Sequence, residues 1–502
     1  MNIPPHTPRL ALIDRSQFLL HSIDAEKLID DDHSARSIWH LVGRLNLSKY
    51  HAEIAAVEGR AGRDHTAPQL LISLWLYAYS EGISSAREIA RRSEFEPGLQ
   101  WLCGLQPISH RTLSGFRSEY KQALDDLFVQ VVGMLSAEGL ITMQRVTLDG
   151  TKIKANASGN TFRRREKLEA HLALAREHVA AMNAQAAEEE SLANRRAAAR
   201  RRAARQRTSR LEAAVREVER LQNEKRHDRD KYVAKASATD PEAHVMRNGE
   251  GGTVPSYNVQ LVTDTKHGLV VNVEASTDAI DYRQLEPALE RCQQTLGKLP
   301  EQLVADGDYT NHASVQAAAA SGVDFYGSWQ DTWRPTERDA HGRSGIFISS
   351  AFPYDAEHDV YLCPAGKRLT LHVIKEQDNG VRTRVYRAPK AACSSCPLRD
   401  QCGPKKNQKA HWRRSVTRGE EPAMTTAFKA KMETEEAKTI YRQRSQIAEF
   451  PHAWLKERCA LRQFRCRGRE KTSMEAKWAC LSYNIIRWFS IQRKLKATAM
   501  AA

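Results

Sequence analysis

The sequence predicts an α/β protein: a mixed β-sheet with helices packed on it, an all-helical amino-terminal region and two insertions. Three observations carry this. Residues 1–140 show apolar residues at helical spacing. From Arg145 onward, short β-prone runs alternate with helical stretches, the pattern of helices packed on a sheet. That rhythm is broken twice, by an Ala/Glu/Arg-rich tract over 163–235 and by a cysteine-bearing segment over 331–424. The expected units are therefore a helical region at 1–140, a core assembled from 141–162, 236–330 and 425–492, and the two insertions between its pieces.

The bulk composition fits several units. The chain has 502 residues, 41% hydrophobic and 27% charged, which is globular rather than disordered. A formal net charge of +15 suggests a polyanionic partner, nucleic acid being the commonest, although a soluble protein can simply be basic. The longest apolar stretch, Leu70 to Tyr79, has about half the length of a membrane-spanning helix, so no membrane partner is expected. The start lacks a basic region followed by an apolar one. With nine cysteines, an odd number, this points to a reducing cytoplasm and to metal ligation rather than disulfides.

In the amino-terminal region, Thr66 is placed to cap a helix with Pro68 in its first turn, followed by Leu70, Leu71, Leu74 and Ala78 and stopped by Gly82. A short helix follows around Ser84 to Arg92. After the Pro97-Gly98 break, Ser109 is placed to cap HRTLSGFRSEYKQAL. Short helices ending in one that carries His110, Arg111 and Arg117 suggest a helix-turn-helix DNA reader; a plain helical bundle with solvated basic residues is the other reading.

The run RVTLDG (Arg145 to Gly150) predicts a short strand with Asp149 at its end. The 163–235 tract, with Leu168, Leu172, His178, Leu211, Val215, Val218 and Leu221 at helical spacing, predicts a helical hairpin or coiled coil. Its arginine cluster (Arg195, Arg196, Arg200, Arg201, Arg202, Arg205, Arg207) reads equally as a solvated face or as a phosphate-contacting arm. YNVQLVTD and LVVNVEAS flank the tetrapeptide TKHG and predict a hairpin. A helix from Tyr282 to about Leu296, a strand at LVADGDY, a helix from Ala313 to Ser321 and a strand at VDFYGSW complete the core, before a basic helical tail from Thr425 to Ile491.

Three acids stand out by position: Asp149 and Asp306 at strand ends and Glu449 in the helical tail. An isolated acid at a strand end is usually a cap or turn former. In Tyr441-Arg-Gln-Arg444-Ser-Gln-Ile-Ala-Glu449-Phe-Pro-His-Ala-Trp-Leu-Lys456, however, two helical turns put Glu449 and Lys456 on nearly one face, with Tyr441 and Arg444 one to two turns earlier. Pro451 predicts a kink beside Glu449. An ordinary surface ion pair is the bland alternative; a carboxylate among Arg and Lys also suits a place where metal and DNA phosphate meet.

This block resembles the third motif, Y-x2-R-x4-E-x6-K, of the insertion-sequence DDE transposases. LDGTKIKANAS (Leu148 to Ser158) resembles their first-acid block, TDPEAHVM with YNVQ the approach to the second strand, LVADGDY their second-acid block, and FRCRGREK with LSYNIIRW their tail. The resemblance implies an RNase H-like core in which Asp149, Asp306 and Glu449 are catalytic and hold Mg²⁺, two ions being expected and Mn²⁺ able to substitute. It implies DNA as partner, both transposon ends and target, contacted by Arg444, Lys456 and Tyr441, although a tyrosine there is also simply packed. A homodimer or larger assembly on paired ends and a bacterial, nucleoid-associated location follow from the same likeness. A catalytically retired, DNA-binding descendant of a transposase is the alternative.

Two departures from the family pattern bear on geometry. Asp308 stands where the second block usually has glycine, so Asp306 and Asp308 compete as the second ligand, Asp306 being preferred for its strand-end position. Phe450-Pro451-His452-Ala453 replaces the usual proline and Phe-Gly pair. Finally, Cys363, Cys393, Cys396 and Cys402 in a Gly/Pro/Lys-rich segment suggest a four-thiolate structural Zn²⁺ site, with an iron–sulfur cluster or unligated thiols as alternatives.

Overall fold

The structure, a computed structural model, describes residues 22–52, 54, 65–188, 195–224, 233–249, 251–329, 347, 351–376, 382–402, 413–420 and 422–501. The first 21 residues and parts of the segments 163–235 and 331–424, including the side chain of Arg195, lie outside the described residues.

The amino-terminal region is helical, as its periodicity predicts. It comprises α1 (Ser34–Gly43), α2 (Ser48–Ala52), α3 (Pro68–Ser80), α4 (Ala86–Arg92), α5 (Pro97–Cys103), α6 (His110–Glu119) and α7 (Lys121–Ala137). Ser109 caps α6 by accepting a hydrogen bond from the Arg111 N–H. Thr66 does not cap α3: the cap position is Ala67, and Pro68, whose missing N–H is harmless in a first turn, begins the helix. Nearly all of α3 is buried, so burial rather than a cap holds it.

The central sheet is mixed and six-stranded. It contains β1 (Arg145–Lys154), then, past the short pair β2 (Phe162–Arg163) and β3 (Ala236–Ser237), β4 (His244–Arg247), β5 (Thr253–Asp264), β6 (Leu269–Ser276), β7 (Gln302–Ala305) and β8 (Asp324–Gly327). β1 runs antiparallel to β5 on one side and parallel to β7 on the other, and β8 extends the parallel side. β5 in turn carries β4 and β6 on its far edge. The hairpin around TKHG is therefore present, and β1 is longer than the sequence suggests. Asp149 lies inside a ten-residue strand rather than at its end, because β5 goes on pairing with β1 from Val146 to Lys154.

Between β2 and β3 the chain forms the helical hairpin α8 (Arg165–Glu188) and α9 (Arg195–Glu224). Its own small core contains Leu168, Leu172, Leu211 and Val218, with Val215 and Leu221 at its margin. His178, placed on that seam by spacing, is exposed instead. Two helices next to the sheet follow, α10 (Leu285–Leu296) and α11 (His312–Ala320).

The cysteine segment is more regular than its composition suggests. It builds a separate five-stranded antiparallel sheet from β9 (Tyr354–Asp355), β10 (Val360–Leu362), β11 (Arg368–Glu376), β12 (Arg382–Arg387) and β13 (Ser415–Glu420), in the order β13-β12-β11-β10-β9. Short helices α12 (Lys390–Ser394) and α13 (Arg399–Cys402) sit between β12 and β13.

The tail holds α14 (Ala423–Met432), α15 (Glu435–Arg442), α16 (Arg444–Glu457) and α17 (Arg469–Ala501). The helical break falls at Gln443, between α15 and α16, and not at Pro451. α16 continues through Pro451, whose buried ring shares a flank with Ala448, His452 and Leu455; packing of that flank outweighs the one ladder hydrogen bond that proline removes.

One continuous apolar core joins the amino-terminal helices, the sheet and α17. α17 is the link. Its Asn484 accepts from the Val270 N–H and donates to the Val270 carbonyl, while Ser482 donates to the Leu76 carbonyl and Trp478 to the Arg117 carbonyl. The tail sequence FRCRGREK docks at the far end of β1, where Phe464 N–H donates to the Lys154 carbonyl.

Candidate active site

The register of β1 and β7 sets the site. Their last parallel pair is Leu148 with Ala305, so Asp149 and Asp306 follow it side by side on neighbouring strands. The sequence placed both acids near strand ends; only the pairing of β1 with β7, separated by more than a hundred residues, makes them neighbours. Their charges interact. Burial pushes the Asp306 carboxyl up, the Asp149 charge pushes it further, and Asp308 adds to this; Arg444 and the Asp308 N–H oppose them without prevailing. Asp308 is exposed, and its N–H donates to Asp306 Oδ1.

Asp149 is held the other way. Its burial would raise the carboxyl, but the His452 imidazole, the Arg444 guanidinium and the Gly150 N–H together hold it below the ordinary carboxylate range. Arg444 Nη1 stands 3.9 Å and His452 Nε2 3.5 Å from Asp149 Oδ2, and Gly150 N–H donates to Oδ1 at 3.0 Å. Both α16 residues reach across the sheet end to β1.

Behind the acids lies a buried polar network. Asp281 accepts from Asn258 Nδ2 and Gln260 Nε2 and pairs with Lys152 at 3.4 Å, and the buried Tyr309 hydroxyl donates to Gln260 Oε1. Gly150 faces this network closely. A Cβ there would stand 2.6 Å from Gln260 Nε2, 2.7 Å from Asp281 Oδ1 and 2.9 Å from Asn258 Oδ1, so any side chain beside Asp149 would have to push these network groups aside. Sequence reasoning named Gly150 only as the end of a strand and missed the network, because its members are far apart in the chain and polar strand residues look solvent-facing.

The third acid stands apart. Glu449 is exposed on α16, one helical turn before His452, and among the described residues no hydrogen bond or ion pair ties it to Asp149 or Asp306. Lys456 lies on the same helix, partly buried. Tyr441 packs at the margin of a small core of Val304, Tyr326, Ala437 and Ile440, with the Arg444 guanidinium 5.9 Å from its ring centre. The packed reading of Tyr441 therefore has direct support.

Of the residues assigned to DNA reading on α6, His110 and Arg111 are exposed. Arg117 is not, and its assignment is corrected. It is 4% exposed, pairs with Glu475, donates to the Ser84 carbonyl at 2.7 Å and lies over the Trp75 ring, so it cannot reach DNA. Helical spacing cannot show this, because the partner comes from α17.

The four cysteines of the second sheet are brought together. Cys363, Cys393, Cys396 and Cys402 line one small cavity, and all are free thiols. The Cys402 thiol is pushed up by burial and further by the other three; Arg414 acts against this. Lys367 N–H donates to Cys363 Sγ at 3.3 Å. Nevertheless, among the described residues no three His, Cys, Asp or Glu side chains, in either place, close into a ready-made metal cage. No helix among the described residues is long and apolar enough to cross a membrane.

Two family models match this chain. One, described as a transposase domain (DUF772), covers residues 23–119, which include α1 to α6. The other, described as a transposase DDE domain, covers residues 362–489, which include the four clustered cysteines and Tyr441, Arg444, Glu449 and Lys456. Asp149 and Asp306 lie outside both matched segments. No curated protein matches the chain. Over these two segments, the chain is similar to a transposase domain and to a transposase DDE domain.

Proposed function

We propose that the protein binds the terminal inverted repeats of an insertion sequence and catalyses metal-dependent DNA end cleavage and strand transfer, through an RNase H-like core. One observation carries this reading: Asp149 on β1 and Asp306 just past the end of the parallel β7 face a helix that brings Arg444 to the same carboxylates and carries Glu449 and Lys456. The sheet order, with a central strand parallel to its neighbour on one side and antiparallel on the other, supports the core assignment.

The donor set fits a hard divalent cation in kind. Asp149 and Asp306 are two carboxylates whose charges repel, and Mg²⁺ takes one or two such oxygens together with phosphate oxygens. Asp149 and Asp306 would hold the ion, with Glu449 as a third oxygen donor from α16. When bound, such ions polarise the scissile phosphate and activate the attacking oxygen. The chain's own residues do the rest. Arg444 and Lys456 offer positive charge to the DNA backbone, and the network of Asp281, Asn258, Gln260 and Tyr309 keeps β1 and β5 in register behind Asp149. In the cysteine sheet, the four thiols around one cavity fit structural Zn²⁺ in donor type, and we assign them that role.

The test is cleavage of labelled DNA carrying the element's own ends, with Mg²⁺ and with EDTA, using the unaltered chain and Glu449→Gln. Metal-dependent nicking at the end boundary, absent in the variant, is expected. End binding without cleavage by the unaltered chain would replace this reading with a retired, DNA-binding descendant.

A further inference from the structure

We infer that His452 is a nitrogen ligand of the cation held by Asp149 and Asp306, which makes the site a mixed oxygen and nitrogen one. This rests on the metal-dependent reading above and concerns a residue outside the three acids.

His452 is 8% exposed, and neither of its ring nitrogens has a hydrogen-bond partner. A buried imidazole with both nitrogens unsatisfied is costly and calls for a partner. Its Nε2 stands 3.5 Å from Asp149 Oδ2, at the outer limit of a hydrogen bond. That spacing suits two ligands on one ion. Neighbouring donors of an octahedral cation, each about 2.1 Å from it, stand about 3 Å apart. A small shift of either side chain lets both reach the same ion.

The helix explains why this residue takes the place. α16 buries Ala448, Pro451, His452 and Leu455, so the flank facing β1 presents His452, while Glu449 one turn earlier stays at the exposed rim. The chain thus offers the cation an imidazole from inside the fold and a carboxylate from its edge. A nitrogen donor shifts the preference away from Mg²⁺, the harder ion, and toward Mn²⁺ beyond what oxygen ligands alone give.

The test uses Mn²⁺ alone as probe on the full chain, read by pulsed electron paramagnetic resonance and by calorimetry. Bound Mn²⁺ should show coupling to an imidazole nitrogen. The coupling should change to the ¹⁵N pattern in protein grown with ¹⁵N-histidine, which needs no substitution and so no assumption about folding. His452→Gln should abolish the coupling and weaken Mn²⁺ binding on the order of tenfold or more, with a smaller effect on Mg²⁺. Asp149→Asn should lose the ion, which ties the signal to this site. Mn²⁺ that binds and is lost in Asp149→Asn, yet shows no nitrogen coupling, overturns the role of His452 and leaves the transposase reading standing. A chain that binds no Mn²⁺ at all overturns both.

Discussion

Arg117 and Glu475, 358 residues apart in sequence, form an ion pair at 3.5 Å in which the two side chains are 4% and 0% exposed. Glu475 also accepts from the backbone N–H groups of Arg465 and Cys466, so one carboxylate fastens α6, α17 and the tail loop together. The amino-terminal helices are thereby part of the central core rather than a tethered reading head.

Removing one partner of such a pair leaves the other charge buried and uncompensated, which costs roughly 3–5 kcal/mol. Arg117→Ala and Glu475→Ala should each lower stability by that order in urea denaturation, and the double variant by much less than the sum. A loss from Arg117→Ala confined to DNA affinity, with unchanged unfolding, would restore its assignment as a DNA contact.

Gly150→Ala tests the crowding beside Asp149. The added methyl must displace Gln260, Asp281 or Asn258, and overpacking of this kind costs about 1–3 kcal/mol. End cleavage should fall far more than end binding, since the displaced groups border Asp149. Cleavage at the unaltered rate, compared in single-turnover assays, would show that the network does not position the acid.

The two neighbouring acids should respond to pH with opposite sign. Asp149 is held below its ordinary value, so its contribution to stability is present above the unfolded carboxylate value and is lost as pH falls through the folded one. Asp306 is raised, so its ionised form weighs against the fold above its folded value, and that burden is relieved as pH falls through it. In EDTA at neutral pH, Asp149→Asn should therefore lower the melting temperature and Asp306→Asn should raise it. Shifts of equal sign in a thermal scan would contradict the coupling between them.

Metal analysis tests the cysteine sheet. One zinc per chain is expected, reduced in Cys393→Ser and in Cys402→Ser, with the sheet's resistance to proteolysis falling in parallel. Protein without zinc but with intact resistance would leave the thiols as packing residues, which their contact with the core of Phe352, Leu369 and Tyr386 already permits.

Most helices and the central hairpin were legible in the sequence because their cause is local. Apolar spacing along α3, the serine before α6 and the strand–turn–strand run from Tyr257 to Ser276 each act over a few residues. The second sheet was not legible. Its strands are short, and β11 is exposed along most of its length, so no alternation of buried and exposed residues marks it.

Sequence alone determined which residues carry acidic, basic and thiol chemistry, and in which local elements they stand. Only the tertiary structure decided which of them meet. Asp149 and Asp306 become neighbours through the parallel pairing of β1 and β7, and Arg117 is withdrawn from solvent by a partner on α17. The buried flank of α16 turns His452 inward and leaves Glu449 at the rim. The physical reason is the same in each case. Local propensity acts over one or two turns, whereas burial and strand register are set by surfaces that meet only after the chain has folded.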